Sequence, residues 1–459
     1  MPGERDIVIV SNRLPVYRVT ENGKDRWETS PGGLVSALRP ILQSQESTWI
    51  GWTGVPADAP EPFVLDGIRN CPVPLTAREI RDFYEGFSNS TIWPLYHDAI
   101  RAPEFRREWW GVYKAVNERF ARAAAEVAGK GALVWIHDYH LQLAPGMLRA
   151  LRPDVRIGFF LHIPFPPQEL FAQLPWRQQI LEGMLGADVV GFQTRVASEN
   201  FEQLCKRFLG VRRRGLTLEF EGRPVVTRDF PISIDFAHFD ALARTDAVGS
   251  TMEQIRERLG GRSIILGVDR LDYTKGIDIR MEAYRDLLKS GLRKVEDTVF
   301  VQVAVPSREK VEEYQDLRSE VEELIGRING EFGDVGRAAI HYLHRSVGPE
   351  ELVALYRLAD AMAVTPCRDG MNLVAKEYVA SRCDERGVLV LSEFTGAAKE
   401  LADAILVNPH DIDGVAAAFA RALEMPEEEQ ARRMQRLRSI VRRYDVHRWA
   451  RSFHEELDA

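Results

Sequence analysis

The chain has 459 residues, of which 45% are hydrophobic, 28% charged and 9% aromatic; this is globular composition, too apolar for a disordered chain and long enough for two or three domains. A formal net charge of −8 gives no general pull toward nucleic acid or an anionic membrane, so any phosphate binding must come from local basic residues. No run of ~18 apolar residues suggests a membrane span, and Cys71, Cys205, Cys367 and Cys383 form no Cys-x-x-Cys pair, which argues against a zinc knot or a disulfide framework.

The first apolar run, Asp6–Val10, is too short for a signal-peptide core and follows an acid-containing start, so a cytoplasmic protein is expected. It reads as a strand buried on both faces. So do Thr48–Trp52, Ala132–Ile136, Arg156–Leu161, Asp188–Phe192, Pro224–Phe230, Ser263–Val268, Thr298–Val305, Ala338–Leu343, Asp360–Val364, Gly387–Leu391 and Ala404–Val407. Val16–Ser30, with Asn22-Gly23 between alternating arms, reads as a hairpin. Helical patterns stand between many of the strands, among them Glu309–Arg327 and Gly414–Leu423, the latter with Asp411 and Asp413 as candidate caps.

Alternation of this kind implies α/β architecture with parallel sheets covered by helices. The chain is too long for one barrel of ~250 residues, so it is read as two doubly wound domains facing across a cleft. The boundary is placed in Pro231–Phe236, giving domains 1–236 and 237–440.

Ligands of open α/β sheets bind outside the carboxyl ends of the strands. The residues there are Ser11-Asn12-Arg13, His137-Asp138-Tyr139-His140, His162-Ile163-Pro164, Asp269–Gly276, Pro306-Ser307-Arg308 and Thr365–Asn372. Basic, acidic and amide groups thus recur at one edge of both sheets. Arg270 and Lys275 share a polar loop and suit a diphosphate, or are two unrelated surface cations. Ser30-Pro31-Gly32-Gly33 leads into an amphipathic stretch and is either a backbone cradle for an anion or a plain turn. A helix starting near Asn372 would offer its N-terminus to a phosphate, with Glu377 about one turn inside, binding sugar hydroxyls or merely solvated. Phe83–Trp93 mixes aromatic and polar groups, which suits a sugar ring as well as core packing. His137 and His140 stand with no further Cys or His nearby for a metal, and neither a P-loop nor a dinucleotide fingerprint occurs.

Taken in order, Ser11-Asn12-Arg13, Gly32-Gly33-Leu34, Phe87-Ser88-Asn89, Trp93-Pro94, His137–His140, Leu161–Pro166, Asp269–Gly276 and Arg368–Leu373 resemble the trehalose-6-phosphate synthases, retaining glycosyltransferases of the two-Rossmann (GT-B) type. The resemblance runs from about Asp6 to Asp411. It implies transfer of glucose from a nucleotide sugar (UDP-, GDP- or ADP-glucose) to glucose 6-phosphate, giving α,α-trehalose 6-phosphate and a nucleoside diphosphate, with no cofactor and no metal. It assigns Arg13, Tyr84, Trp93, Asp138 and Arg308 to the acceptor, the two arginines on its phosphate. Gly32, Gly33, Arg270 and Lys275 fall to the donor diphosphate, Asp369 and His162 to the donor glucose. Met371, Asn372, Leu373, Val374 and Glu377 fall to the nucleotide, with Glu377 on the ribose, and Val347 to the base. Asp138, His162, Arg270 and Lys275 are the expected catalytic set. Val441–Ala459 is expected to pack back on the first domain, and with the chain ending at Ala459 no phosphatase activity is expected. The partners implied are small-molecule substrates, not nucleic acid or membrane, and a homo-oligomer is compatible. Two rivals remain, another enzyme on this scaffold and a non-catalytic sugar-phosphate sensor; the intact acceptor and donor residues argue against both.

Overall fold

Apolar runs that alternate with amphipathic stretches must stack as strands and cover themselves with helices, because a strand buried on both faces has no side left for water. The computed structural model describes residues 6–21, 24–30, 35, 38, 42, 47–215, 217–308 and 312–459. The chain divides into two units, one of residues up to Ile232 together with His447–Ala459, the other of Ser233–Val446.

The first unit is built on a ten-stranded sheet. Its strands are β1 (Ile7–Arg13), β4 (Ser47–Trp52), β5 (Phe63–Leu65), β6 (Ile68–Pro72), β7 (Leu133–His137), β8 (Arg156–Phe160), β9 (Val189–Phe192), β10 (Arg212–Arg214), β11 (Thr217–Phe220) and β12 (Arg223–Asp229). The order is β10-β11-β12-β9-β8-β7-β1-β4-β6-β5, with β12 through β6 parallel and an antiparallel partner at each edge. Ile7, Val8, Ile9 and Val10 are buried and pair with Leu133–Ile136 on one side and Ser47–Ile50 on the other. Each such side chain contributes ~1.5–3 kcal/mol by burial. A separate hairpin, β2 (Val16–Glu21) with β3 (Lys24–Thr29), pairs Glu21 with Lys24; the expected turn at Asn22-Gly23 lies outside the described residues. The helix Val446–Asp458 lies against this unit, with Phe453 stacked on Trp135 at 4.2 Å and Trp449 Nε1 donating to the Phe230 carbonyl.

The second unit carries a six-stranded, wholly parallel sheet, β15-β14-β13-β16-β17-β18. Its strands are β13 (Ser263–Arg270), β14 (Thr298–Val305), β15 (Ile340–Leu343), β16 (Ala361–Val364), β17 (Val388–Ser392) and β18 (Ile405–Val407). Helices Ile277–Lys289, Glu312–Phe332, Pro349–Leu358, Leu373–Ser381 and Ile412–Glu424 connect them. Asp411 caps the last of these by accepting from the Gly414 amide at 3.0 Å, which is the role its position suggested. Among the described residues no helix is long and apolar enough to cross a membrane.

Candidate active site

In the first unit the chemistry gathers at the ends of β1, β7 and β8. Trp49 Nε1 donates to Ser11 Oγ, which donates to the Arg13 carbonyl, so the end of β1 is tied to β4. The Arg13 guanidinium then lies over the Trp52 ring at 4.8 Å. It also lies against Gly54: a Cβ there would stand 2.0 Å from a guanidinium nitrogen, and φ is +94°. Tyr84 packs edge-on against Trp52 and stacks on His140 at 5.7 Å.

The aromatic run between Phe83 and Trp93 is mostly core. It forms a wide π-type helix, Ile80–Ile92, in which Phe83, Phe87 and Ile92 are core residues while Tyr84 stays half-buried. Trp93 is buried against His97 and Tyr139, and the Tyr139 hydroxyl donates to Asn89 Oδ1 at 2.9 Å.

β7 and β8 are parallel neighbours, His137 opposite Phe160, so the residues that follow them meet. Asp138 takes φ +74°, a backbone conformation rarely adopted by a residue with a side chain, and its Oδ1 accepts the His162 amide proton at 3.2 Å. His137 Nδ1 lies 3.1 Å from His162 Nε2. Burial lowers both imidazole pKa values, that of His162 to about 3, so both are neutral.

In the second unit Lys275 and Asp369, 94 residues apart in sequence, form an ion pair at 2.5 Å. Asn372 Nδ2 donates to the same Asp369 oxygen at 3.0 Å, while Asn372 Oδ1 caps the helix Leu373–Ser381 by accepting from the Ala375 amide. Met371 is buried beside this cap, and Leu373 and Val374 are half-buried in its first turn. Glu377 is not a solvated helix residue: it accepts from the Tyr356 hydroxyl at 2.8 Å, and burial raises its pKa against the pull of that bond.

Arg270 ends β13 and Arg308 follows β14. Between them lies Asp272, fully buried, which accepts from the Thr274 amide and the Tyr314 hydroxyl and pairs with Arg308 at 3.3 Å. Burial alone would raise its pKa, yet Arg308, Arg270 and Lys275 hold it at about 2. One carboxylate thus gathers three cations. Arg280, with no exposed surface, donates to Asp269, Thr365 and the Lys275 carbonyl, and so fixes the loop from beneath.

A profile described as Glycosyltransferase family 20 matches residues 5–459.

The chain belongs to glycosyltransferase family 20.

The chain is similar to a trehalose-6-phosphate synthase of Mycolicibacterium smegmatis, 54% identical, the match covering 100% of this chain and 93% of that one. A solved UDP-forming α,α-trehalose-phosphate synthase from Burkholderia vietnamiensis is 35% identical with a TM-score of 0.91, covering 99% of this chain and 97% of that one. A synthase from Burkholderia xenovorans, solved in complex with glucose 6-phosphate, is 34% identical with a TM-score of 0.90, covering 99% and 100%.

Of the residues expected in this family 20 site, Arg13, Tyr84, Trp93, Asp138 and His162 stand in the first unit. Arg270, Lys275, Arg308, Val347, Asp369, Met371, Asn372, Leu373, Val374 and Glu377 stand in the second. Val347 is half-buried on the segment after β15. Gly32 and Gly33 lie outside the described residues. His137 lies between His162, at 3.1 Å, and the Trp135 ring, at 4.9 Å. Sequence reasoning missed Trp52, Gly54, Arg280, Tyr314 and Tyr356. Each holds a named site residue or, like Gly54, leaves it room, and none belongs to a motif; an arginine within a helix, like Arg280, reads as solvated until the fold buries it.

Proposed function

We propose that this family 20 enzyme transfers glucose from a nucleoside diphosphate glucose to glucose 6-phosphate, with retention, forming α,α-trehalose 6-phosphate. The carrying observation is the contact of Lys275 with Asp369, braced by Asn372. It places a cation suited to diphosphate beside a carboxylate suited to sugar hydroxyls, at the carboxyl edge of a parallel sheet. Arg270 joins Lys275 on the diphosphate, and Glu377, held by Tyr356, takes the ribose. Gly32 and Gly33 serve the diphosphate, and Val347 with Met371–Val374 the nucleotide. Arg13 and Arg308 bind the acceptor phosphate; Tyr84, Trp93 and Asp138 bind its sugar. The solved relative with glucose 6-phosphate supports this acceptor. The UDP-forming solved relative favours UDP-glucose among the donors.

Retention in glycosidases usually proceeds by two inversions through a carboxylate nucleophile. Here Asp369 and Glu377 are engaged with Lys275 and Tyr356, and Asp138 with the His162 amide. The proposal is therefore attack from the face the diphosphate leaves. The acceptor's anomeric oxygen bonds to the donor's anomeric carbon, the carbon–phosphate-oxygen bond breaks, and the hydroxyl proton passes to a leaving phosphate oxygen. Arg270, Lys275 and the amides at the start of Leu373–Ser381 stabilise the charge that develops. Release of nucleoside diphosphate, measured with a panel of UDP-, GDP- and ADP-glucose with and without glucose 6-phosphate, tests the reaction; release only with acceptor is expected. A glucosyl ester trapped on Asp138, Asp369 or Glu377 would replace front-face attack by double displacement.

A further inference from the structure

His137 ends β7 and has no exposed surface. Its Nδ1 faces His162 Nε2 at 3.1 Å, whereas its Nε2 is buried and meets no hydrogen-bond partner among the described residues. A neutral imidazole carries one N–H and one bare nitrogen, so the proton between the rings belongs to one of them. If His162 donates from Nε2, His137 must carry its own proton on Nε2, and a buried N–H is left with nothing to accept it. If His137 donates from Nδ1, its Nε2 is a bare acceptor, and the remaining proton of His162 sits on Nδ1. Orphaned buried donors are the rarer and costlier case.

His162 itself is held in place. Its backbone amide is held by Asp138 Oδ1 at 3.2 Å. Its ring packs edge-on against Phe160 at 4.7 Å, with Trp449 at 6.3 Å, and Trp135 backs His137 at 4.9 Å. Ring and backbone are thus both fixed. The residue is half-buried, and its Nδ1 makes no hydrogen bond among the described residues.

We propose that His137 is a positioning residue that donates from Nδ1 to His162 Nε2, fixing His162 with its proton on Nδ1, where it donates a hydrogen bond to a hydroxyl oxygen of the donor glucose. The second half rests on the reading above that sets His162 beside that sugar. The proton on one imidazole nitrogen is set by the bond the other makes, and a sugar hydroxyl can accept as well as donate, so an unset His162 would also sample the form that presents a bare acceptor there.

Histidine-selective nitrogen NMR on the full chain reads the tautomer directly. The expected result is a protonated Nδ1 on His162, lost in His137→Leu and restored in His137→Asn, whose amide nitrogen stands close to the position of Nδ1. With UDP-glucose and glucose 6-phosphate, His137→Leu should lower kcat/KM roughly 3- to 10-fold, the worth of one net hydrogen bond. His137→Asn should recover most of that, and the affinity for UDP alone should not move. A proton on His162 Nε2 in the unaltered protein overturns the proposal even if His137→Leu fails to fold. A folded His137→Asn that restores neither tautomer nor turnover overturns it too. The expected tautomer together with unchanged turnover in His162→Phe would instead remove His162 from the sugar, leaving the imidazole pair as described.

Discussion

Single side chains carry the sharpest expectations. Truncating one partner of a desolvated charge pair costs about 2–5 kcal/mol, so Arg308→Ala should raise the KM for glucose 6-phosphate ~30-fold or more while leaving nucleotide-sugar affinity nearly unchanged. Steady-state kinetics with each substrate varied would show it, and an unmoved KM would take Arg308 out of the acceptor set. On the proposed mechanism Lys275 acts on charge that grows in the transition state, so Lys275→Ala should lose ~10²–10³ in kcat, beyond any loss of donor affinity. Gly54→Ala is the subtler case. Its Cβ would enter the space of the Arg13 guanidinium, so the expected outcome is an acceptor KM raised as by Arg13→Ala, with the donor KM unmoved. That the strand-end residues could be read at all follows from a general rule about parallel sheets. That Gly54 could not follows from its role: it contributes an absence of atoms, and no pattern in the sequence marks where another side chain needs room. Arg280 and Tyr356 escaped for a related reason, since a buried charge or hydroxyl shows its purpose only once its partners, 85 residues away for Thr365 and 21 for Glu377, arrive beside it.

At the level of elements, the apolar runs were legible because a strand buried on both faces cannot hide its composition; β1, β4, β7, β8, β9 and β12–β18 each coincide with one of them to within a few residues. The strands that escaped, β5, β6, β10 and β11, lie at or beside a sheet edge. β10 is three arginines, Arg212–Arg214, all exposed, the composition that discourages edge pairing rather than the one that advertises a strand. The Asp272–Gly276 loop carries Lys275, which the proposed reaction sets on the donor diphosphate. Gly276 takes φ +58°, and a Cβ would come within 2.6 Å of the Thr365 carbonyl. Gly276→Ala should therefore cost ~1–3 kcal/mol in stability and, by shifting Lys275, depress turnover more than acceptor binding. Thermal unfolding and kinetics on the same sample would separate the two effects; unchanged kinetics would mean that the loop does not set Lys275.

Across the whole molecule, the chain leaves the first unit at Ile232 and returns to it at His447. The returning helix supplies core: Trp449 and Phe453 are buried against Trp135, Phe160 and Phe230, Arg156 Nε donates to the Leu457 carbonyl, and Arg228 pairs with Glu456. Phe453→Ala should destabilise the first unit by about 3–5 kcal/mol. Hydrogen exchange should then quicken in β7, β8 and β9 and not in β13–β18; equal acceleration in both units would show that the helix stabilises the molecule as one cooperative block.

The most direct test of the central claim is to follow purified protein by NMR with UDP-glucose and glucose 6-phosphate together. The account predicts a disaccharide phosphate whose two anomeric protons both carry the α configuration, appearing in equimolar amount with UDP and only when both substrates are present. UDP released with free glucose, a β-linked product, or no turnover with UDP-, GDP- or ADP-glucose would contradict it.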